Sequence, residues 1–303
     1  MISICIPIYN YYSYPLVRRL ATQIEKSASS DGFEIVCIDD HSTGFSLNQN
    51  KGISEIATYI RLEKNIGRAQ IRNLFLKHTH GEWLIFLDND SLVGGDFLKN
   101  YAKAAGSDAA VIVGGRIYDN RGDDKTHRLR YLYGTRIESR PVEWRRQHPY
   151  QSFMTNNFMI RREVLEKIPF DSRLSSYGHE DTLFGYRLEE HRVPILHIDN
   201  PVTNGYVETN VEFLHKTVEA VENLVKIHDF MWEDQRFCQS VRLLRSYYRV
   251  RQLGLHRPLH GIFQMTKPLL ENLFASGTAI TMTQFSFYKL GLFIDKKHYD
   301  NKL

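Results

Sequence analysis

Short apolar runs in the first third of this chain end repeatedly on aspartate or asparagine. Ser3–Ile8 closes on Pro7-Ile8-Tyr9-Asn10, Phe33–Ile38 on Asp39-Asp40, and Trp83–Leu87 on Asp88-Asn89-Asp90. Such runs of β-favouring residues, bounded by turn formers, read as strands. Between them the apolar period becomes helical. A helix is expected from Pro15 to Lys26 and another over Gly67–His78, with Ala69, Ile71, Leu74 and Phe75 as its apolar positions. Tyr59–Leu62 and Ala109–Val113 are further strands, and Asp96 is placed to cap a helix that runs through Ala104 and stops at Gly106. Strands alternating with helices over the first 115 residues predict a parallel, doubly wound α/β sheet.

The pattern then breaks. Arg116 to Tyr150 is polar, rich in arginine and aperiodic. It reads as an extended excursion near the active edge, with arginines able to grip a phosphate-bearing acceptor or simply to solvate a loop. Met154–Arg161, Gly178–Glu190 and Pro194–Ile198 return to ordered patterns. From Asn210 the chain turns helical, with Phe213, Leu214, Val218, Val221, Leu224 and Val225 on one face; Arg242–Leu253 and Pro268–Phe274 read as further helices.

With 303 residues and ordinary apolar and charged fractions, the chain can bury a large core. No apolar run approaches the length needed to span a bilayer, and the start lacks the basic residues and cleavage site of a signal peptide. Cys5, Cys37 and Cys238 are widely spaced, and the first two fall in strand-like runs, which predicts buried, reduced thiols and a cytosolic setting. The net charge of +4 hides an asymmetry: Arg236–Leu303 carries 11 Lys or Arg against 3 Asp or Glu, leaving the rest slightly acidic. A basic tail fits an anionic partner, whether phospholipid headgroups, a lipid-linked phosphate or nucleic acid, or it is a solvated helical face.

The acids carry the candidate chemistry. Side chains at i and i+2 of a strand point the same way, so Asp88 and Asp90 present two carboxylates to one side of a strand end. Open α/β sheets bind ligands at that edge. Converging carboxylates favour a hard cation such as Mg²⁺ or Mn²⁺, completed by water and substrate phosphates. Asp39 or Asp40, at a neighbouring strand end, could accept from a base or ribose; strand-end aspartates also cap turns. Tyr177-Gly178-His179-Glu180-Asp181-Thr182 puts two carboxylates at the start of a helix over Thr182–Glu189. One suits the helix dipole, and the other is placed to act as a general base on a hydroxyl.

These segments resemble glycosyltransferase family 2, whose fold is GT-A. The matching pieces are Ile6-Pro7-Ile8-Tyr9-Asn10, Ile38-Asp39-Asp40-His41-Ser42-Thr43, Asn65-Ile66-Gly67 with Arg72-Asn73, Gly81 through Asp90, Asn156-Asn157-Phe158-Met159-Ile160-Arg161-Arg162, and Tyr177-Gly178-His179-Glu180-Asp181. The resemblance covers about the first 215 residues. It implies a Rossmann-like, predominantly parallel mixed sheet flanked by helices in residues 1–215, followed by a basic helical extension in 216–303. It further implies an inverting, metal-dependent transfer from a nucleotide diphosphate sugar, a UDP-sugar above all, to a glycan or lipid-linked acceptor. Bacterial surface polysaccharide assembly is the implied setting, at the inner face of a membrane touched by the basic region; nucleic acid is not an implied partner. Carried over by position, Pro7, Tyr9, Asp39 and Asp40 would line the nucleotide site, bordered by Asn65 and Arg72. Asp88 would meet ribose and metal, and Asp90 would ligate the metal. Asn156 and Asn157 would lie near sugar or acceptor. Asp181 would be the base, supported by Glu180.

Three departures stand out. His41 replaces the usual glycine after Asp-Asp, Ser91 replaces a third acid, and Asn204 stands where the family often has a metal-binding histidine. An amide oxygen can still ligate a hard cation. Two rival enzyme or signalling readings are weaker. A sugar nucleotidyltransferase would carry a Gly- and Lys/Arg-rich loop after its first strand, where this chain has Tyr9-Asn10-Tyr11-Tyr12. A phosphoacceptor receiver module would be far shorter. A non-catalytic relative is favoured only by Asn204.

Overall fold

The structure, a computed structural model, describes residues 1–27, 32–119 and 124–300. The strands are β1 (Ile2–Ile8), β2 (Phe33–Asp39), β3 (Thr58–Arg61), β4 (Trp83–Leu87), β5 (Ser91–Leu92), β6 (Val111–Val113), β7 (Arg116–Ile117), β8 (Asn157–Arg161), β9 (Ile195–His197) and β10 (Val202–Asn204). Seven form one sheet in the order β3-β2-β1-β4-β8-β6-β9; β5, β10 and β7 form a second, small sheet. β1 pairs in parallel with β2 and β4, and β2 with β3. β8 runs antiparallel to both β4 and β6. The predominantly parallel mixed sheet is therefore as expected, and β8 supplies the reversal.

Helices α1 (Tyr14–Glu25), α2 (Gly44–Asn50), α3 (Arg68–Leu74) and α4 (Phe97–Ala104) follow the early strands. β1, β4 and β8 bury Ile4, Ile6, Leu84, Ile85, Phe158 and Ile160 completely, which is why they read as continuous apolar runs. α1 turns Leu16, Val17 and Leu20 into that core. Asp96 does stand at the start of α4, but its side chain makes no capping hydrogen bond. All three cysteines are buried and unpaired.

The arginine-rich excursion is a correction. It contains α5 (Arg128–Tyr133), a π-helical turn (Gly134–Glu138) and α6 (Val142–Gln147), followed after β8 by α7 (Arg162–Lys167) and α8 (Glu180–Glu190). Two of its arginines, Arg130 and Arg145, are buried, whereas Arg128, Arg136 and Arg146 are exposed. Arg145 donates to the carbonyls of Val113, Gly114 and Ile198, and Arg130 pairs with Glu208 at 2.9 Å.

The chain divides into two compact units. The first comprises residues 1–119, 138–175 and 180–206; the second comprises the described residues of 120–137, 176–179 and 207–303. Residues 124–137 and 176–179 thus group with the C-terminal helices although they lie before residue 215. The second unit contains α5, α9 (Asn210–Met231), α10 (Gln235–Ser240), α11 (Arg242–Gln252), α12 (His256–Ser276) and α13 (Met282–Asp300). A capping box between Thr209 and Glu212 starts α9. No described helix is long and apolar enough to cross a membrane.

Candidate active site

Topology assembles the site. β1, β2 and β4 run the same way, so Tyr9, Asp39, Asp40 and Asp88 leave the sheet at one edge. The reversed β8 begins there, with Asn157 paired to Leu87 and the Asn156 carbonyl accepting from the Asp88 amide at 3.1 Å.

Arginines organise the acids. Arg72, buried in α3, donates to Asp88 Oδ1 at 3.0 Å and to the Arg68 carbonyl at 2.9 Å. Arg68 donates to Glu180 Oε1 at 2.6 Å and lies 3.4 Å from Asp88 Oδ2. One guanidinium therefore joins the Asp88 strand end to the Glu180-Asp181 helix start. Burial would raise the Asp88 carboxyl, but Arg68, Arg72 and Arg116 outweigh it and hold it below the ordinary carboxylate range. Arg68 and Arg72 do the same for Glu180 against its burial.

Asp181 is treated differently. Burial, and then the adjacent Glu180 charge, push its carboxyl up to about 7, against the Thr182 amide and hydroxyl, which donate to Oδ1 at 2.7 and 3.3 Å. Two neighbouring carboxylates thus have opposite proton affinities. That is the arrangement in which one stays ionised and positions while the other trades a proton.

The small sheet holds the rest. Asp90 precedes β5, Asn204 ends β10, and Arg116 begins β7; β10 pairs with both neighbours. The Gly205 amide donates to the Asp90 carbonyl at 2.8 Å, and a Cβ at Gly205 would meet that oxygen at 2.5 Å. Only glycine permits this approach. Arg116 lies 3.6 Å from Asp90 Oδ2 and donates a short hydrogen bond to Asn204 Oδ1. The Asn204 Nδ2 is buried without a hydrogen-bond partner among the described residues.

The donor set of Asp88, Asp90 and Asn204 is all oxygen, which suits Mg²⁺ or Mn²⁺. No group of three or more His, Cys, Asp or Glu placed to hold a metal occurs among the described residues. Arg116 stands against both Asp90 and the Asn204 oxygen, so a divalent cation held by these two groups would take the place of its guanidinium.

Several expected site residues make structural contacts. Asp39 has 0% exposure, and its oxygens accept from the Ser42 amide and the Tyr59 hydroxyl, both at 2.6 Å. Asp40 accepts from the Ile66 and Gly67 amides at 2.7 and 3.0 Å, and Asn65 donates to the Asp40 carbonyl. These residues shape the loop between β3 and α3. Asn157 is spent on the Tyr101 hydroxyl and the carbonyls of Gly115 and Asn200, so it ties strands together. Arg72 acts on Asp88 from beneath. By contrast, Tyr9 is 53% exposed beside partly buried Pro7 at the end of β1, and both polar atoms of the 4%-exposed Asn156 amide lack a partner. An orphaned buried amide calls for a hydrogen-bonding group that the described residues do not provide. Arg68 was missed from the sequence; the only local signal was a basic residue directly after Asn65-Ile66-Gly67. Arg116 was read only as one of several loop arginines.

The profile of glycosyl transferase family 2 matches residues 3–169. The poly(ribitol-phosphate) β-N-acetylglucosaminyltransferase TarP of Staphylococcus aureus is 32% identical over 116 residues, which is 36% of this chain and 35% of that relative, so the alignment spans about a third of the relative's length. The mannosyltransferase PcManGT of Pyrobaculum calidifontis, solved with GDP-Man and Mn²⁺, shares the fold at TM-score 0.55 and 14% identity, over 96% of this chain and 86% of that one. S. aureus TarS 1–349, solved with UDP-GlcNAc, gives TM-score 0.50 and 18% identity over 98% and 92% of the two chains. The family profile covers more than half the sequence, and the mixed sheet matches GT-A enzymes: the chain belongs to glycosyl transferase family 2 and has its GT-A fold.

Proposed function

We propose that this protein is an inverting, divalent-metal-dependent glycosyltransferase that moves a sugar from a nucleoside diphosphate sugar, UDP-linked, to a hydroxyl of a glycan or lipid-linked acceptor. The observation that carries the reading is the carboxylate pair at the start of α8. Arg68 lies 2.6 Å from Glu180 and 3.4 Å from Asp88 on the opposite strand end and keeps the Glu180 carboxyl low, while burial and the Glu180 charge push the Asp181 carboxyl up to about 7.

In the transfer, Asp181 accepts the acceptor hydroxyl proton as that oxygen bonds to the anomeric carbon. The anomeric carbon–phosphate oxygen bond breaks in line, and its electron pair leaves on the nucleoside diphosphate. Glu180 and Arg68 hold Asp181 in place. Arg72 holds Asp88 toward the ribose. Tyr9 and Pro7 flank the base, in a pocket shaped by Asp39, Asp40 and Asn65. The Asn156 amide pairs with a sugar or acceptor hydroxyl. A cation on Asp90 and Asn204 would neutralise charge developing on the diphosphate. The poly(ribitol-phosphate) N-acetylglucosaminyltransferase activity of TarP and the UDP-GlcNAc complex of TarS support a UDP-sugar and a surface-polymer acceptor. A non-catalytic sugar-binding relative is the second reading, favoured by Arg116 on the Asn204 oxygen.

Thermal shift with a panel of nucleoside diphosphates, each with and without Mn²⁺, tests this. One nucleotide should raise the melting temperature only with metal, and Asp90→Ala should abolish the rise. A rise that ignores metal, or none with any nucleotide, defeats the proposal.

A further inference from the structure

Between Asp234 and Glu271 the chain carries seven Lys or Arg and no Asp or Glu. Helix α12, which begins in this stretch, buries Phe263, Leu270 and Phe274, the inward face that an amphipathic helix needs. A second apolar line stays outside. Leu255, Ile262, Met265 and Leu269 are 50%, 55%, 85% and 63% exposed. They recur at i, i+7, i+10 and i+14, which keeps them on one side of the helix. Leu253, just before it, is 65% exposed. In α11, Arg242, Arg245 and Arg249 are exposed at i, i+3 and i+7, whereas Leu244 and Tyr247 are buried. Single exposed aliphatics need no explanation, but a contiguous line marks a contact surface.

We propose that the outer surface of α11 and α12 docks on an anionic lipid bilayer. The α12 stripe enters the boundary between headgroups and acyl chains, and the arginines meet lipid phosphates. Charge selects this occupant. A second copy of the chain would set arginine against arginine with no acid in the stretch to answer it. A dissolved polyanion would use the arginines but leave Ile262, Met265 and Leu269 in water. The contact stands apart from the sugar chemistry, so failure of either leaves the other intact.

The test is co-sedimentation of the full chain with phosphatidylcholine vesicles and with vesicles containing about 30% phosphatidylglycerol. The protein should partition onto the anionic vesicles at least about tenfold better, and high salt should erase the difference. I262S/M265S/L269S should lose at least about tenfold of the binding. R242Q/R245Q/R249Q should lose the anionic preference. Both variants should keep the wild-type melting temperature, since every substituted side chain is exposed. Should the first variant unfold, Met265→Asp at the most exposed position replaces it. Equal partitioning onto both vesicles, undiminished binding by the α12 variant, or a wild-type dimer that this variant dissociates would each overturn the proposal.

Discussion

At Asp181, burial and a neighbouring charge act in the same direction. A base works here only as the carboxylate, so transfer should be lost as pH falls through about 7. Stability runs the other way. The folded state holds this proton more tightly than the unfolded chain, whose aspartates titrate near ~3.9. The group therefore favours folding at low pH, and that contribution disappears as pH rises through about 7. Asp181→Asn should keep donor binding, lower kcat by about 10²–10⁴-fold and remove this component of the stability–pH curve. A pH–rate profile flat around neutrality would remove Asp181 from its role. Arg116 makes a second prediction. It faces Asp90 and occupies the Asn204 oxygen, so the proposed metal would have to displace it. Arg116→Met should bind Mn²⁺ about tenfold more tightly, about 1.4 kcal/mol, in an EPR titration of free Mn²⁺ without nucleotide. Unchanged or weaker affinity would contradict the displacement.

At the scale of elements, the turn after β2 explains a departure visible in the sequence. His41 has φ of 65°, in the left-handed region where glycine is at ease and a side chain is strained. The turn persists because Asp39 takes the Ser42 amide, Ser42 takes the Asn10 amide, and Asn10 takes the Thr43 amide. The His41 ring gains only one weak contact, 3.3 Å from the Leu62 carbonyl. His41→Gly should therefore stabilise the protein by about 0.5–1 kcal/mol in chemical denaturation. A loss of stability would mean that the ring contact outweighs the strain.

Over the whole molecule, legibility followed the range of the interactions. β1, β2 and β4 were readable because each is a buried apolar run stopped by turn residues. The antiparallel setting of β8 was not, since nothing in Asn157–Arg161 encodes its direction. α12 was read only from Pro268 onward; Pro258 and Pro268 and a second apolar face obscured a single helix from His256 to Ser276. The helices within Arg116–Tyr150 were missed because they are six residues long and their buried arginines, Arg130 and Arg145, face Glu208 and backbone carbonyls. In the site, the acids were legible as motifs. Their allocation was not: that Asp39 would be sealed inside, Asn157 spent on backbone carbonyls and Arg68 set between two carboxylates depends on pairs 42, 43 and 112 residues apart and on complete burial.

The small sheet has one more consequence. Its strands are two or three residues long, and they carry Arg116, Asn204 and the residue next to Asp90. So little ladder opens locally at far lower free energy than the seven-stranded sheet. The protein thus combines a stiff floor with a pliant lip, and the groups that would exchange a guanidinium for a cation under the proposed function belong to the lip.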